Sequence, residues 1–353
     1  MSRKLFLFLF ACCALFASAQ QAKVLSQQPL SRWNVGTANF SGITPIGGNR
    51  YALVSDKEPD DGFFVFRIDQ NPETGVVEAV YLESFNGIAP ETRNAKGLSY
   101  RDGEGIAYLP SQNTIWISDE REQQIVEHAM DGTLTGRRLQ IPEIFSKNNI
   151  YHNNGFEALC YDAHSSQFWT TTESTLRSDG QLAGKENSGA SPMLRLQSFG
   201  EDLLPCSQYA YRMDAGETKF FGKTYIYGVP ALCALPDGRL LVMEREGIFP
   251  EDQLGSRCNI KIFEINPAEG HQIDSDVKLS TLDPNRFLTK RLIATWTTRL
   301  IIVQNNLANY EGMCLGIRLN DGRQTVLCIN DSQASMGRGP VHLRDYIRVV
   351  VLP

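Results

Sequence analysis

Glu104-Gly105-Ile106-Ala107-Tyr108-Leu109-Pro110-Ser111-Gln112-Asn113-Thr114-Ile115-Trp116-Ile117-Ser118-Asp119-Glu120 reads as an apolar strand opened by a Glu-Gly pair, then a turn, then a second apolar strand ending on carboxylates. The phrase recurs. Ser41-Gly42-Ile43 leads to Ser55-Asp56-Lys57-Glu58, Glu157-Ala158-Leu159 to Thr172-Glu173, Pro230-Ala231-Leu232 to Met243-Glu244-Arg245, and Glu311-Gly312-Met313 to Asn330-Asp331. In the first three copies the opening residue stands 15 positions before Asp56, Asp119 and Thr172. So regular an internal repeat is what the fold has to explain.

Successive copies lie 63, 53, 73 and 81 residues apart, about the length of a four-stranded sheet with its connections. That spacing predicts an all-β chain, a β-propeller of four-stranded blades around a central channel. Glu104–Leu109, Thr114–Asp119, Gln124–Met130 and Arg137–Ile141 read as the four strands of one unit, separated by turn-forming stretches such as Asp131-Gly132. Runs such as Tyr51-Ala52-Leu53-Val54 and Leu240-Leu241-Val242-Met243 are apolar at successive positions, as in a sheet covered on both faces. A two-sheet sandwich gives no reason for carboxylates to recur at one place in each unit. Five units are clear, and a sixth has room between Cys258 and Arg299, so five and six blades are both open.

Met1-Ser2-Arg3-Lys4, an apolar run from Leu5 to Phe16 and Ala17-Ser18-Ala19 before Gln20 read as a signal peptide over 1–19, too short to span a bilayer. A rival, lipidation at Cys12, is weakened by Phe10 before Ala11 and by the short preceding segment. The expectation is an exported, periplasmic or extracellular protein, with 20–353 as one propeller domain and no membrane span. Cleavage would leave 32 basic against 40 acidic residues, a balance that argues against nucleic acid as a partner.

Six cysteines follow the leader. Cys160, Cys233 and Cys314 each stand three residues after the opening residue of their unit, where Thr44 and Ala107 stand in the others, and read as small buried hydrophobes. Cys206 and Cys258 are the pair to test for a disulfide in an oxidising compartment. There is no Cys-x-x-Cys for zinc, no Gly-x-Ser-x-Gly elbow, no P-loop, no dinucleotide Gly-x-Gly-x-x-Gly and no His-Glu-x-x-His.

If the phrase opens the innermost strand of each blade, its acids converge at one mouth of the channel. Glu104, Glu157, Glu311, Asp56, Asp119, Glu120, Glu173 and Glu244 would then share a cavity. Crowded carboxylates either stay protonated or are neutralised by a cation, and oxygen-only ligation favours Ca²⁺. Lys57, Arg121 and Arg245 sit beside the acids and could hold the oxygens of a phosphate or carboxylate, or serve as salt-bridge partners. His152, just before Asn153-Asn154-Gly155-Phe156-Glu157, is the one histidine of the five placed to overhang the mouth.

In this order, Glu104-Gly105-Ile106-Ala107 with Ile117-Ser118-Asp119-Glu120, Asn154-Gly155-Phe156-Glu157-Ala158-Leu159, Tyr209-Ala210-Tyr211-Arg212-Met213, Leu241-Val242-Met243-Glu244-Arg245 and Tyr310-Glu311-Gly312-Met313 resemble the phytase-like family, "esterase-like activity of phytase", from about Ser41 to Ser332. The resemblance implies an exported bacterial propeller-like hydrolase of esters or phosphate esters. Asn330-Asp331-Ser332 and Pro230 depart from the family pattern and thin the carboxylate ring.

The expected activity is metal-dependent hydrolysis of a small anionic ester, a phosphomonoester first. Glu104, Glu157, Glu311, Asp56 and Glu244 would hold Ca²⁺, Asp119 or Glu173 would act as base with His152 at the catalytic mouth, and Lys57, Arg121 and Arg245 would clamp the anion. A calcium-dependent lactonase or carboxylesterase, and a non-catalytic binding module for a protein or glycan, are the alternatives.

Overall fold

In the ring of inner strands each one touches the next: Phe40–Gly47, Gly103–Leu109, Phe156–Asp162, Thr224–Ala234 and Asn309–Arg318, closing back onto the first. The computed structural model describes residues 22–56, 58, 60–89, 101–217, 224–251, 253–332, 337–338 and 341–353. The leader over 1–19, Cys12 and Lys57 lie outside them. Each inner strand is the edge of an antiparallel sheet, and the five sheets form a five-bladed β-propeller. Blades one to four run outward in chain order. Blade five combines Asn309–Arg318, Gln324–Asp331 and Tyr346–Val351 with Lys23–Val24, so the two ends of the described chain meet in one sheet.

The stretch between Cys258 and Arg299 is not a sixth blade. Arg257–Ile265 and Lys290–Ile301 are the outer strands of blade four, joined by a segment with three short 3-10 turns. In blade two the fourth strand is Leu134–Arg138 rather than Arg137–Ile141. The Asp131-Gly132 turn is tight, with Gly132 at φ +89° and the Thr133 N–H on Asp131 Oδ1 at 3.0 Å, so pairing resumes at once.

The apolar runs have a direct cause. Five buried clusters lie between successive blades: Val54 with Ile106, Trp116 with Phe168, Val242 with Tyr211, Met243 with Val326, and Leu53 with Ile329 are members of one cluster each. A sheet between two such clusters must be apolar on both faces.

The x-Gly phrase has a cause as well. The ladder between first and second strands shifts register at the opening residue in all five blades. A bulge adds an unpaired residue and re-aims its side chain, here toward the axis. Next to it the neighbouring inner strand comes close: a Cβ on Gly42 would lie 2.4 Å from the Glu104 carbonyl oxygen, and one on Gly105 2.4 Å from that of Glu157. Only glycine fits there. Pro230 sits at the blade-four bulge, where no ladder hydrogen bond is asked of its nitrogen.

All six cysteines in the described chain are free thiols, including Cys206 and Cys258. Cys160, Cys233, Cys258, Cys314 and Cys328 are buried in the inter-blade clusters, and burial raises their pKa values. Cys206 alone is exposed. Titration of the folded chain from Gln20 onward with an aromatic disulfide should therefore release one equivalent quickly and the other five only on unfolding. Rapid reaction of two or more would contradict this packing.

Candidate functional site

Two positions of the repeat build the channel mouth, and strand pairing defines them better than sequence spacing. The residues three after the opening position, Thr44, Ala107, Cys160, Cys233 and Cys314, pair with Ala52, Trp116, Trp169, Leu241 and Leu327. Four residues beyond those partners stand Asp56, Glu120, Glu173, Arg245 and Asp331, and all five line one cavity. The bulge residues Glu104, Glu157 and Glu311 line it from the first strand. The cavity has a volume of about 480 Å³, in the ordinary range for a small-molecule site of roughly 300–1,000 Å³.

The residues one position earlier, Ser55, Asp119, Thr172, Glu244 and Asn330, face the other way. Two predicted site residues fall in this row. Asp119 Oδ1 accepts backbone N–H groups from Asp102, Arg121 and Glu122 at 3.2, 3.0 and 3.1 Å, so it fixes the loop rather than facing the mouth. Glu244 is 1 % exposed and accepts from Tyr211 Oη at 2.6 Å, Lys290 Nζ at 2.6 Å and the Asp214 N–H at 3.1 Å. It is an internal acceptor of blades three and four. The equal spacing of 15 misled because Thr44 and Ala52 are eight residues apart while Ala107 and Trp116 are nine. One residue moves a side chain to the opposite face of a strand.

The other predictions divide. Asp56, Glu104, Glu157, Glu173, Glu311 and Arg245 meet in the cavity. Arg121 is exposed and pairs with Asp102 at 3.0 Å, outside the lining. His152 is exposed, with its carbonyl accepting the Asn154 side-chain amide at 3.0 Å, while its neighbour Asn153 reaches the cavity. Asp102, Asn309 and Asn153 are among the lining residues that escaped the sequence reading, as did the apolar residues contributed by blade four. Asp102 and Asn309 each stand two residues before a bulge glutamate, Glu104 and Glu311, and that shared spacing is the signal that would have found them.

The cavity is divided electrostatically. On one side the Arg245 guanidinium, 2 % exposed, donates to Glu311 Oε1 at 2.5 Å, to Asn309 Oδ1 at 2.9 Å and to Glu173. Burial works against its charge, yet Glu173, Glu311 and Glu157 outweigh that and raise its pKa. On the other side Asp56, Asp102 and Glu104 bring one oxygen each within 4.8 Å of one another, and so do Glu104, Glu120 and Glu157. Glu104 belongs to both groups.

These acids strain against ionisation. Burial raises Glu104 well above the usual carboxylate range, and Glu157, Glu311, Glu120 and Asp102 add repulsion. Glu157 is raised for the same reasons, burial first and then Glu173, Glu120 and Glu311. Glu120 is pushed up to about 7 by burial and by Glu173, although it accepts the Gly155 N–H at 3.0 Å. An all-oxygen donor set with surplus negative charge fits a hard divalent cation of the Ca²⁺ kind.

No curated protein matches the chain. Among solved structures, it is similar to a GH43 β-xylosidase/α-arabinofuranosidase from a compost microbial metagenome (12 % identity, 94 % of this chain and 95 % of that one, TM-score 0.47). It is also similar to an endo-arabinase from Bacteroides thetaiotaomicron (10 %, 92 % and 96 %, 0.47) and to the calcium-binding protein regucalcin from Agrobacterium tumefaciens (10 %, 93 % and 94 %, 0.39). Likeness at this level carries no argument about chemistry. The phytase-like family model, described as "Esterase-like activity of phytase", matches residues 35–333, most of the chain, and the protein belongs to that family.

Proposed function

We propose that the protein is an exported ester hydrolase that works with a bound Ca²⁺ at the acidic side of the axial cavity. The observation that supports this reading is the division of charge. Arg245 is the one basic residue among the described lining residues and is committed to Glu173 and Glu311, while Asp56, Asp102, Glu104, Glu120 and Glu157 make up the two groups whose oxygens lie close enough together to share an ion. Asp56, Asp102 and Glu104 would hold the cation. When bound, it supplies a Lewis acid for a phosphoryl or carbonyl oxygen and a countercharge for the acids.

The chain's own residues divide the remaining work. Glu120, one oxygen of which accepts the Gly155 N–H and whose pKa burial and Glu173 raise in the metal-free cavity, would take the proton of an attacking water. Glu173, tied to Arg245, is the weaker base of the two. Arg245 is the lesser candidate for holding a substrate anion, since Glu311 and Asn309 take its Nη1 and Glu173 its Nη2, which leaves Nε as the donor without a partner. A phosphomonoester is the first substrate candidate, with its charge met by the cation. A carboxylic ester or lactone is the second reading, favoured by the apolar residues Ile226, Phe249, Leu300 and Leu307 in the same cavity. Assaying 4-nitrophenyl phosphate and 4-nitrophenyl acetate with Ca²⁺ and with chelator tests the proposal. Activity that ignores chelation, or none on either ester, would overturn it.

The raised acids also set a pH dependence. Where the native state binds more protons than the unfolded one, stability falls as pH rises. For Glu120 that window runs from its usual 4.5 to about 7, and the raised Glu104 and Glu157 act in the same direction. Acids held below their usual range, such as Asp214 and Asp237, oppose this only below about pH 4. The melting temperature in chelator should therefore drop between pH 5 and pH 7.5, and saturating Ca²⁺ should flatten the upper part. A melting temperature that climbs across this window without metal would contradict the burial of these acids.

A further inference from the structure

Blade four differs from the others above the ring. Its second strand, Leu240–Phe249, has ten residues, against six in Arg50–Ser55, Thr114–Asp119 and Gln167–Thr172 and eight in Gln324–Asp331, and it runs four residues past the ring position Arg245. Four extra residues at about 3.3 Å each carry the hairpin roughly 13 Å past the ring. The ladder continues along it, pairing Gly228 with Arg245, Ile226 with Gly247 and Thr224 with Phe249. Residues two apart share a face. The face that offers Arg245 to the acids therefore offers Ile226 and Phe249 above them, and both line the cavity.

Gly247 lies between them on this face. A Cβ there would come 2.6 Å from Phe249 Cε2 and 2.7 Å from Ile226 Cγ1. The bare position lets the two side chains close over the strand as one apolar surface. Pro250, Leu300 and Leu307 extend it. At ring level the same blade has Pro230 and Arg245 where its neighbours have acids, so no carboxylate of the two repeat positions comes from blade four. The strand bearing Leu300 ends one residue later and turns at Ile302-Val303, which are 90 % and 88 % exposed. Leu254, also exposed, lies in the adjoining segment beside the lining residue Gln253.

We infer that the molecule this cavity takes has an uncharged apolar half, an alkyl or aryl group, that packs on the extended hairpin of blade four while its reacting group lies over the acids of blades one to three. Applied to the proposed ester hydrolase, on which this substrate assignment rests, it selects esters of apolar acids or alcohols over esters of sugars and polyphosphorylated polyols. Desolvating the apolar half holds the ester bond at the boundary between wall and acids. The apolar side chains carry this preference, with Phe249 and Ile226 as the residues that set it.

Two measurements on the full mature protein with Ca²⁺ test it. In the first, kcat/KM should rise about tenfold from 4-nitrophenyl acetate to the butyrate, since each buried methylene is worth roughly three- to fourfold. It should also be at least tenfold higher on 4-nitrophenyl phosphate than on glycerol 2-phosphate. Ile226→Ser/Phe249→Ala should erase the chain-length preference through KM, and the single change Phe249→Leu should keep it. In the second, the neutral fluorophore N-phenyl-1-naphthylamine should bind wild type, about tenfold more weakly the double variant, and equally well Glu104→Gln. Hydrolysis without chain-length preference, or probe binding that the double variant leaves intact, overturns the inference. Probe binding lost in the double variant while no ester is cleaved supports the apolar half-site and overturns the hydrolase reading instead.

Discussion

Arg245→Met is expected to destabilise the protein by about 3–5 kcal/mol, the largest effect of any single substitution at the channel mouth. The side chain is 2 % exposed and lies between Glu173 and Glu311, with Asn309 completing the cradle. Methionine fills much of the volume but leaves two buried carboxylates without their countercharge, and such a group costs far more than a lost surface pair. The loss should be read from urea unfolding in chelator at pH 7.5. It should shrink at pH 5, where protonation relieves Glu173, whose pKa burial already raises. It should also shrink with Ca²⁺, which replaces part of the missing charge. A loss below about 1 kcal/mol would mean that Arg245 does not hold the acids together.

Glu104→Gln should weaken Ca²⁺ binding by at least about 100-fold and abolish any Ca²⁺-dependent hydrolysis. Removing even a residue that only supports a ligand costs 10–100-fold in affinity, and Glu104 is common to both carboxylate groups. The effect on stability should have the opposite sign. Glu104 is buried among Glu157, Glu311, Glu120 and Asp102, so a neutral side chain of the same shape removes repulsion and should raise the melting temperature of the metal-free protein. Glu244→Gln is the control. That residue serves Tyr211, Tyr227 and Lys290, so its variant should lose stability and keep its Ca²⁺ affinity. If Glu104→Gln loses stability without metal and binds Ca²⁺ normally, the carboxylate is structural and the proposed cation site is wrong.

Much of this was legible in the residues. The bulge repeats in each blade, and at Gly42 and Gly105 the neighbouring inner strand comes close as well, so the phrase that records them repeats too. Blades covered on both faces need continuous apolar runs, and these are present. Glu104, Glu157 and Glu311 are legible as cavity residues because each opens a copy of the repeated phrase, and the bulge there aims all three at the mouth. Blade count needed more, since the stretch from Cys258 to Arg299 has room for a diverged unit and is instead the outer half of blade four.

From residue order alone follow the β-propeller, the convergence of the repeated phrase at one channel mouth and the acidic character of that mouth, because each depends on patterns local to a strand pair. Which residue of the Asp119-Glu120 or Glu244-Arg245 pair faces the axis does not follow. That choice depends on whether a hairpin turn holds one residue more or fewer, and a single residue reverses a strand's faces. The partition of the mouth into an Arg245 side, a carboxylate side and an apolar wall is likewise a matter of assembly. It arises where five blades bring together side chains as distant in sequence as Asp56 and Glu311, and where the longer hairpin of blade four rises beside them.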